Sequence, residues 1–397
     1  NCPYHADKVD YDLTTAPRSD FQRVALTFMA SQSPYKRNKD YTQQLIAAKT
    51  GEGKAMPNDT SIPTPNGWTM LGDIKVGDFV FNRYGKPVKV LGVYPQKGLQ
   101  KTYKLTFKDG RTARCNPEHL WTVRRKCDKE LITLPLSDML KEYKSIHFDS
   151  DGTKHTECIY SIPAPKCVEF NEREVPVDPY LLGVLIGNGC LGEKALSISS
   201  GNPDVPKAIG KILNAEVLPP RYKNYTYLFI THKTLGKKGV INHYVQTKDV
   251  LKGIKKLIKS KSENKFIPKN YIRNSKEVRM ALLQGLLDTD GHITKNKFQV
   301  SYSTTSKRLK NDIVELVRSL GFIAFVTKDN RTKYKSGECF KILIACDDKL
   351  KPTLFRENKH SMKRAKYAAK HYKTRRNNDF IKIINIEEIA PTKQRCI

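Results

Sequence analysis

The chain has 397 residues, and 71 Lys and Arg against 40 Asp and Glu leave a formal net charge of +31. That length is too great for one ordinary domain and predicts two or three. The surplus of positive charge predicts a polyanionic partner, most simply a nucleic acid. Hydrophobic residues make up 39% of the chain and charged residues 28%, a balance that favours folded cores over wholesale disorder. No apolar run reaches the ~18 residues of a membrane span, so no transmembrane segment is expected.

The cysteine pattern indicates a reducing compartment. Nine cysteines are scattered along the chain, and none belongs to a Cys-x-x-Cys pair. We therefore expect neither a disulfide framework nor a structural zinc site, and we expect a cytoplasmic location. The N-terminal segment lacks a basic stretch followed by an apolar one, so no secretory signal is expected either.

The first zone, residues 1–54, contains an amphipathic helical pattern over Phe21–Ala30. A short apolar run, Leu45–Ala48, then predicts a buried strand. This strand leads directly into a glycine-rich segment that ends at Lys54.

The second zone, from residue 55 to about 170, predicts an all-β domain. Short strand patterns alternate with turn signals such as Asp109-Gly110. The segment Phe380–Ile389 has the same strand character, and it could complete this domain from far away in sequence.

The third zone, residues 172–350, alternates helices and strands and contains a degenerate repeat. Its two copies read Leu-Leu-Gly-Val-Leu-Ile-Gly-Asn-Gly at 181–189 and Leu-Gln-Gly-Leu-Leu-Asp-Thr-Asp-Gly at 283–291. Equivalent positions lie 102 residues apart, which fits one small α/β subdomain per copy. Asp178 predicts the N-cap of the first helix, and Asn274 with Glu277 predicts the start of the second.

Small residues in these two helices predict a close helix pair. Each helix carries two of them, four apart on one face: Gly183 and Gly187, then Gly285 and Thr289. Such a contact would bring Asn188 and Asp290 side by side, where their oxygens, with Gly187 and Thr289 beside them, could hold a divalent cation against a phosphate. The alternative is an ordinary helix pair in which a C-cap glycine follows an incidental polar residue.

These residues resemble the LAGLIDADG homing endonucleases over residues 172–350. The resemblance implies pseudo-twofold αββαββα repeats, a monomer that lays β-sheet saddles in the major groove of a long duplex site, and hydrolysis of phosphodiesters with Mg²⁺. It also implies metal-binding acids at 188 and 290; Asp290 matches, whereas Asn188 departs, because an amide carries no charge. We therefore expect this chain to bind DNA but to cut it weakly, or to nick one strand.

A strongly basic run follows the repeat. Residues 351–376 contain ten Lys and Arg and one acid, Glu357. Two readings stay open: a solvated helix face, or a surface that contacts a nucleic-acid backbone.

The second zone resembles the splicing (Hint) domain of inteins. Segments 56–60, 64–68 and 75–78 look like the N-terminal splicing block, and 111–123 looks like the second block. In that second block His119 occupies the place of the histidine that protonates or polarises the scissile peptide, and Asn116 occupies the place of the usual Thr.

Three features refine this resemblance toward class 3 inteins, in which an internal Cys attacks the upstream junction. The first residue would be Ala55, which has no nucleophile; Trp121 lies two residues after His119; and Cys396 lies where the penultimate block begins. The competing interpretation is an ordinary intein whose first Cys was changed to Ala. The chain ends at Ile397 before the final splicing block, so it is not expected to complete splicing as given.

The end of the first zone resembles motif I of superfamily 2 helicases, a P-loop. Gly51, Gly53 and Lys54 would cradle phosphates, and the expected Ser or Thr is replaced by Ala55, at which the intein would interrupt the motif. ATP binding by this chain is therefore expected to be weak.

The sequence thus predicts three parts: residues 1–54, a helicase fragment; 55–171 with 370–397, a splicing domain; and 172–369, a DNA endonuclease domain. The natural target would be an allele of the helicase gene without the insertion. Two rival hypotheses remain, namely a site-specific DNA-binding module that does not cleave and an ATP-dependent helicase fragment.

Overall fold

The computed structural model describes residues 55–397, except 127, 129, 150, 193–194, 221–224, 237, 258–259, 296–297, 330–337 and 372–378. The predicted helix Phe21–Ala30, the strand Leu45–Ala48 and the P-loop residues Gly51, Gly53 and Lys54 lie outside the described residues. In the described part of the chain, no helix is both long and apolar enough to cross a membrane.

The first part of the described chain is built from short strands. They are β1 Met56–Pro57, β2 Ser61–Thr64, β3 Gly67–Met70, β4 Phe79–Phe81, β5 Pro87–Lys89, β6 Tyr94–Pro95, β7 Gln100–Phe107, β8 Thr112–Cys115, β9 Leu120–Arg125 and β10 Ile132–Pro135. After helix α1 Leu136–Lys141 come β11 Lys144–Phe148, β12 Lys154–Cys158 and β13 Tyr160–Pro163. The turn between β7 and β8 lies at Asp109-Gly110, where Gly110 has a positive φ of 82°, as the sequence predicts.

The helices and strands of the third zone follow the order of two repeats. The first comprises α2 Pro179–Asn188, β14 Gly189–Cys190, β15 Ser197–Ser199, α3 Asp204–Ile212, β16 Glu216–Leu218, β17 Thr226–Gly236, β18 Gly239–Tyr244 and α4 Thr247–Val250. A short helix, α5 Lys269–Ile272, leads to the second, which comprises α6 Lys276–Asp290, β19 Gly291–Ile293, β20 Val300–Thr304, α7 Lys307–Ser319, β21 Ile323–Asp329, β22 Cys339–Ala345 and α8 Lys359–His371.

The two repeats have equivalent sheets. Their strand orders are β14-β15-β17-β16 and β19-β20-β22-β21, and the first carries β18 as an additional strand on β17. The same relative order, preceded by one long helix in each case, confirms the internal repeat and the predicted αββαββα architecture.

The chain returns to the β-rich part at its end. Strand β23, Phe380–Thr392, lies between β13 and β7 in a six-stranded sheet of order β10-β9-β13-β23-β7-β8. Strand β24, Gln394–Cys396, lies between β1 and β6. The strand predicted over Phe380–Ile389 therefore exists and closes the first β domain across more than two hundred residues of intervening chain. The exact domain boundaries remain predictions.

Candidate functional sites

The two repeated helices touch through their backbones. A methyl group at Gly183 would lie 2.3 Å from the carbonyl oxygen of Leu282, and one at Gly285 would lie 2.3 Å from that of Tyr180. Only glycine permits this approach at either position. The face predicted from the small residues is therefore the contact face.

Local sequence determines where each helix begins. The side chain of Asp178 accepts a hydrogen bond from the backbone N of Leu181 at 2.9 Å, as an N-cap does. The predicted capping box at Asn274 is wrong, because the N-cap of α6 is Ser275, whose hydroxyl accepts from the backbone N of Val278 at 3.4 Å. Asn274 instead accepts from Arg173 of the chain that precedes the first repeat.

Both helices end at the same place. A methyl group at Gly187 would lie 2.0 Å from the hydroxyl oxygen of Thr289, so the last turns are in contact. The next residue in each helix, Asn188 or Asp290, is its last, and a C-cap glycine follows. The structure thus brings these two positions together at one end of the helix pair; their role as metal ligands stays a prediction.

A lysine that the sequence did not single out reaches this end. The ammonium group of Lys265 donates to the carbonyl oxygen of Gly187 at 2.7 Å. Burial lowers the pKa of Lys265, while the nearby charge of Asp290 and the thiol of Cys190 oppose that effect. Lys265 lies in a lysine-rich segment, 252–265, whose composition offers no signal to distinguish it from its neighbours.

The carboxyl group of Asp290 is held by the strand beside it. Its pKa is raised, chiefly because the surrounding protein desolvates it, although the charge of Lys265 and a hydrogen bond from Tyr302 act in the opposite direction. Tyr302 lies on β20 and is buried, so its hydroxyl is shielded from water and can orient the Asp290 carboxylate.

The two other predicted ligands have other partners. The Gly187 carbonyl accepts from Lys265, and the Thr289 hydroxyl donates back into its own helix, 2.8 Å from the carbonyl oxygen of Leu286. Each of these oxygens still has a lone pair that could face a cation, so the metal role of Gly187 and Thr289 stays a prediction. The part of the chain that the structure describes contains no cluster of three or more His, Cys, Asp and Glu side chains that could hold a metal ion. Asp290 is the one carboxylate among the four predicted ligands.

A second candidate site lies in the β domain, where the chain ends meet. Strand β24 pairs with β1 so that Arg395 faces Met56, and one further step in the same register brings Cys396 opposite Ala55. Cys396 is only 1% exposed and Ala55 is fully buried. The predicted nucleophile and the predicted first residue of the intein are thus neighbours.

The second splicing block contacts the same residue. The backbone N of Asn116 donates to the carbonyl oxygen of Ala55 at 3.2 Å, and Asn116 itself is buried. Its backbone oxygen accepts from the N of His119 at 3.2 Å, which forms the turn that presents the histidine. The ring of His119 meets that of Trp121 edge to face, with centroids 5.4 Å apart. Asn116, His119 and Trp121 therefore form one connected group next to Ala55.

One polar side chain of this site was not found from sequence. The side-chain amide of Gln96 donates to the sulfur of Cys396 at 3.8 Å, and its backbone N donates to the carbonyl oxygen of Gln394 at 2.9 Å. It lies just after β6, and no motif marks it.

Known proteins are similar to several parts of this chain. A family model described as LAGLIDADG-like domain matches residues 277–366, which confirms that resemblance for the second repeat. The replicative DNA helicase DnaB of Mycobacterium intracellulare is 26% identical over 366 residues, which are 89% of this chain and 56% of that protein. The homothallic switching endonuclease of Saccharomyces cerevisiae is 26% identical over 168 residues, 37% of this chain and 28% of that protein. The chain thus spans little more than half the length of its DnaB relative.

Two solved structures are similar to parts of this chain. The gp41-1 intein is 27% identical, with 27% of this chain and 76% of that chain covered and a TM-score of 0.20. The endonuclease I-DmoI, solved in complex with DNA and Mn, is 12% identical, with 43% of this chain and 89% of that chain covered and a TM-score of 0.29. Over residues 277–366 the chain contains a LAGLIDADG-like domain, and over most of its length it is similar to a DnaB helicase.

Proposed function

We propose that this chain is a class 3-like intein whose β domain cleaves the Lys54–Ala55 peptide bond through Cys396. The observation that supports this most directly is the register of β24 on β1, in which the step after Met56 and Arg395 pairs Ala55 with Cys396. The thiolate attacks the carbonyl carbon of Lys54, the C–N bond to Ala55 breaks, and Lys54 becomes joined to Cys396 as a thioester. The amine released on Ala55 takes up one proton.

The surrounding residues have distinct parts in this step. Asn116 holds the Ala55 carbonyl through its backbone N–H and so fixes the peptide plane next to the scissile bond. His119 donates the proton to the leaving amine, and Trp121 packs against its ring and limits its rotation. Gln96 stabilises the attacking sulfur as a hydrogen-bond donor.

Thiol-induced cleavage tests this half. Added dithiothreitol should exchange with the thioester and release residues 1–54, which mass spectrometry detects together with a fragment that begins at Ala55. Cys396→Ala should abolish the release, whereas Cys190→Ala, which removes an exposed thiol far from Ala55 in sequence, should leave it unchanged. Release that persists in Cys396→Ala would overturn the class 3 assignment.

We propose that the α/β domain binds a long duplex DNA site as a monomer and hydrolyses phosphodiesters there. Asp290 and Asn188 would hold Mg²⁺ or a similar divalent cation, which when bound supplies Lewis-acid activation of a phosphate and of water. Lys265, next to Asp290, places positive charge where negative charge develops on the phosphate. Solved I-DmoI contains Mn, which supports the use of a divalent cation.

The amide at position 188 limits this activity. With one carboxylate instead of two, the cation is held less strongly, and the chain cleaves slowly or nicks one strand.

The proposed target is an allele of a helicase gene that lacks the insertion, and the DnaB relative supports a helicase host. Incubation of intein-free target DNA with this chain and Mg²⁺ tests the proposal: nicked or slowly cut product is expected, and rapid double-strand cleavage would contradict the role given to Asn188.

Asn188 also favours a second candidate, a site-specific DNA-binding module with no cleavage. Both candidates require sequence-dependent binding, so they differ only in the presence of product. If Asn188→Asp still yields no product with Mg²⁺ or Mn²⁺ while binding persists, the binding module is the better description.

A further inference from the structure

Part of the sheet of the second repeat is covered on both faces by apolar cores. Alternate residues of β20, β21 and β22 face the endonuclease helices, among them Tyr302, Ala324 and Ile342, and all three are buried in that core. The residues between them point to the opposite face. Ser303 and Thr327 on that face are exposed, so this part of the face stays open.

Another part of the opposite face packs into the core of the β domain. Ile323 is only 4% exposed and belongs to the same apolar cluster as Leu105, Phe107 and Cys115. Phe325 and Ala345 pack against this cluster, and Ala345 lies directly across from Ile323 in the ladder. Part of the endonuclease sheet therefore forms one side of the hydrophobic core of the splicing domain.

Helix α7 adds polar contacts along the same boundary. The guanidinium of Arg318 donates to the carbonyl oxygen of Asp109 at 2.8 Å, in the turn between β7 and β8. The carboxylate of Asp109 is completely buried and pairs with Arg111 at 2.7 Å. One turn earlier on α7, Glu315 accepts from the indole N–H of Trp68 at 2.9 Å.

The segment that joins the domains is also enclosed. Methyl groups at Gly85 or Gly321 would lie within 2.7 Å of the backbone of Cys167, so this segment passes tightly between the two domains. The guanidinium of the fully buried Arg279 on α6 donates to the carbonyl oxygens of Val168 and Ser319, both at 2.6 Å. A buried cation with these partners fixes the linker to two endonuclease helices.

We infer that the β domain and the α/β domain form one cooperative folding unit in which the face of β21 and β22 bearing Ile323, Phe325 and Ala345 completes the splicing core. The endonuclease domain is then required to keep the Cys396 site assembled, whether or not it cleaves DNA. This requirement would retain the domain in a chain whose position 188 lacks a carboxylate.

Thiol protection tests this inference without reference to either activity. Cys115 is buried in the β core and Cys346 in the endonuclease core, and burial raises the pKa of both thiols to about 12. Brief pulses of iodoacetamide in increasing urea, read by mass spectrometry, report the opening of each core in the unaltered chain. One cooperative unit predicts that both thiols become labelled at the same urea midpoint, and two separate midpoints would overturn the inference.

Ile323→Asp supplies the direct perturbation. A buried carboxylate on that face should raise the labelling rate of Cys115 and Cys346 together, by at least about 10-fold. Val240→Asp is the matched control, because Val240 is a β-branched strand residue that is 62% exposed, and it should change neither rate. If Ile323→Asp raises the labelling rate of Cys346 alone and leaves that of Cys115 unchanged, the splicing core does not depend on this face of the endonuclease sheet.

Discussion

At the scale of single residues, the proposal gives Asn188 the role of setting how strongly the cation is held. We expect Asn188→Asp to raise the rate of Mg²⁺-dependent cleavage by at least about 10-fold, because a second carboxylate close to the cation contributes well over 1 kcal/mol at short range. Supercoiled plasmid carrying the target gives the rate of nicking and of linearisation. Asn66→Asp, a charge change in an exposed turn of the β domain, should leave the rate unchanged. Equal rates for all three proteins would remove Asn188 from the site.

Asp290 links the site to stability. Its pKa is raised in the folded chain, mainly by desolvation, so the native state binds its proton more tightly than the unfolded state does. Between the ordinary value of 3.8 and the raised one, stability therefore falls as pH rises, and at pH 7 the ionised group disfavours folding. We expect Asp290→Asn to abolish cleavage and to raise the thermal unfolding midpoint slightly at pH 7. The difference in midpoint should disappear as pH falls toward 3.8, and a lower midpoint for Asp290→Asn at pH 7 would contradict this account of the carboxylate.

At the scale of helices and strands, the contact between α2 and α6 sets the position of Asn188 and Asp290, the two residues proposed to bind the cation. We expect Gly285→Ala to lower the free energy of unfolding by about 3 kcal/mol, since its methyl group meets the Tyr180 carbonyl oxygen at 2.3 Å and neither backbone can withdraw alone. Chemical denaturation measures this change. Gly201→Ala is the control, because a methyl group there meets nothing within 4 Å. Equal losses in the two variants would mean that the helix contact is not close.

The sequence predicted these helices well because their signals are local. Caps, apolar runs and small residues at a spacing of four all lie within one helix, and the repeat supplies each signal twice. The start of α6 was missed by one residue, since Asn274 and Ser275 are both good caps and only the tertiary contact of Asn274 with Arg173 decides between them. Strand β23 was predictable from the β-branched residues in its sequence. Its partner strands were not, because the sequence indicated only that the strand could complete the β domain.

Residues that act across the fold were not predictable in this way. Lys265 and Gln96 reach their sites from segments without a motif, and nothing in their neighbours distinguishes them. Ile323 reads as an ordinary buried strand residue, because alternation shows that a face is buried but not which domain covers it. These positions depend on long-range packing, which a single sequence does not encode in any local pattern.

At the scale of the whole molecule, the net charge of +31 and its distribution are expected to govern the affinity for the proposed DNA partner. Helix α8 buries Ala365 and Ala368 on one side and exposes lysines on the other, so part of the basic run predicted to be either a solvated face or a backbone-contacting surface is an amphipathic helix. Helix α8 contacts the strand that follows Asp290, since Arg364 donates to the carbonyl oxygen of Ile293 on β19, three residues after Asp290. A phosphate-binding role for the exposed face of α8 follows if duplex DNA passes over that end.

The salt dependence of binding separates the two readings of the run. Each phosphate contact lowers the slope of log affinity against log salt by ~0.9, so six to ten contacts would weaken binding by roughly 10³–10⁵ between 50 and 200 mM salt. We expect the triple change Lys363→Gln, Lys366→Gln and Lys370→Gln to reduce the magnitude of this slope by about 2 to 3 in fluorescence anisotropy titrations, while the preference for target over random duplex is kept, because backbone contacts carry no sequence information. The control removes three exposed lysines of the β domain: Lys75, Lys89 and Lys97. If both triple variants keep the original slope, α8 is a solvated face, and if both reduce it equally, the effect belongs to overall charge and not to this helix.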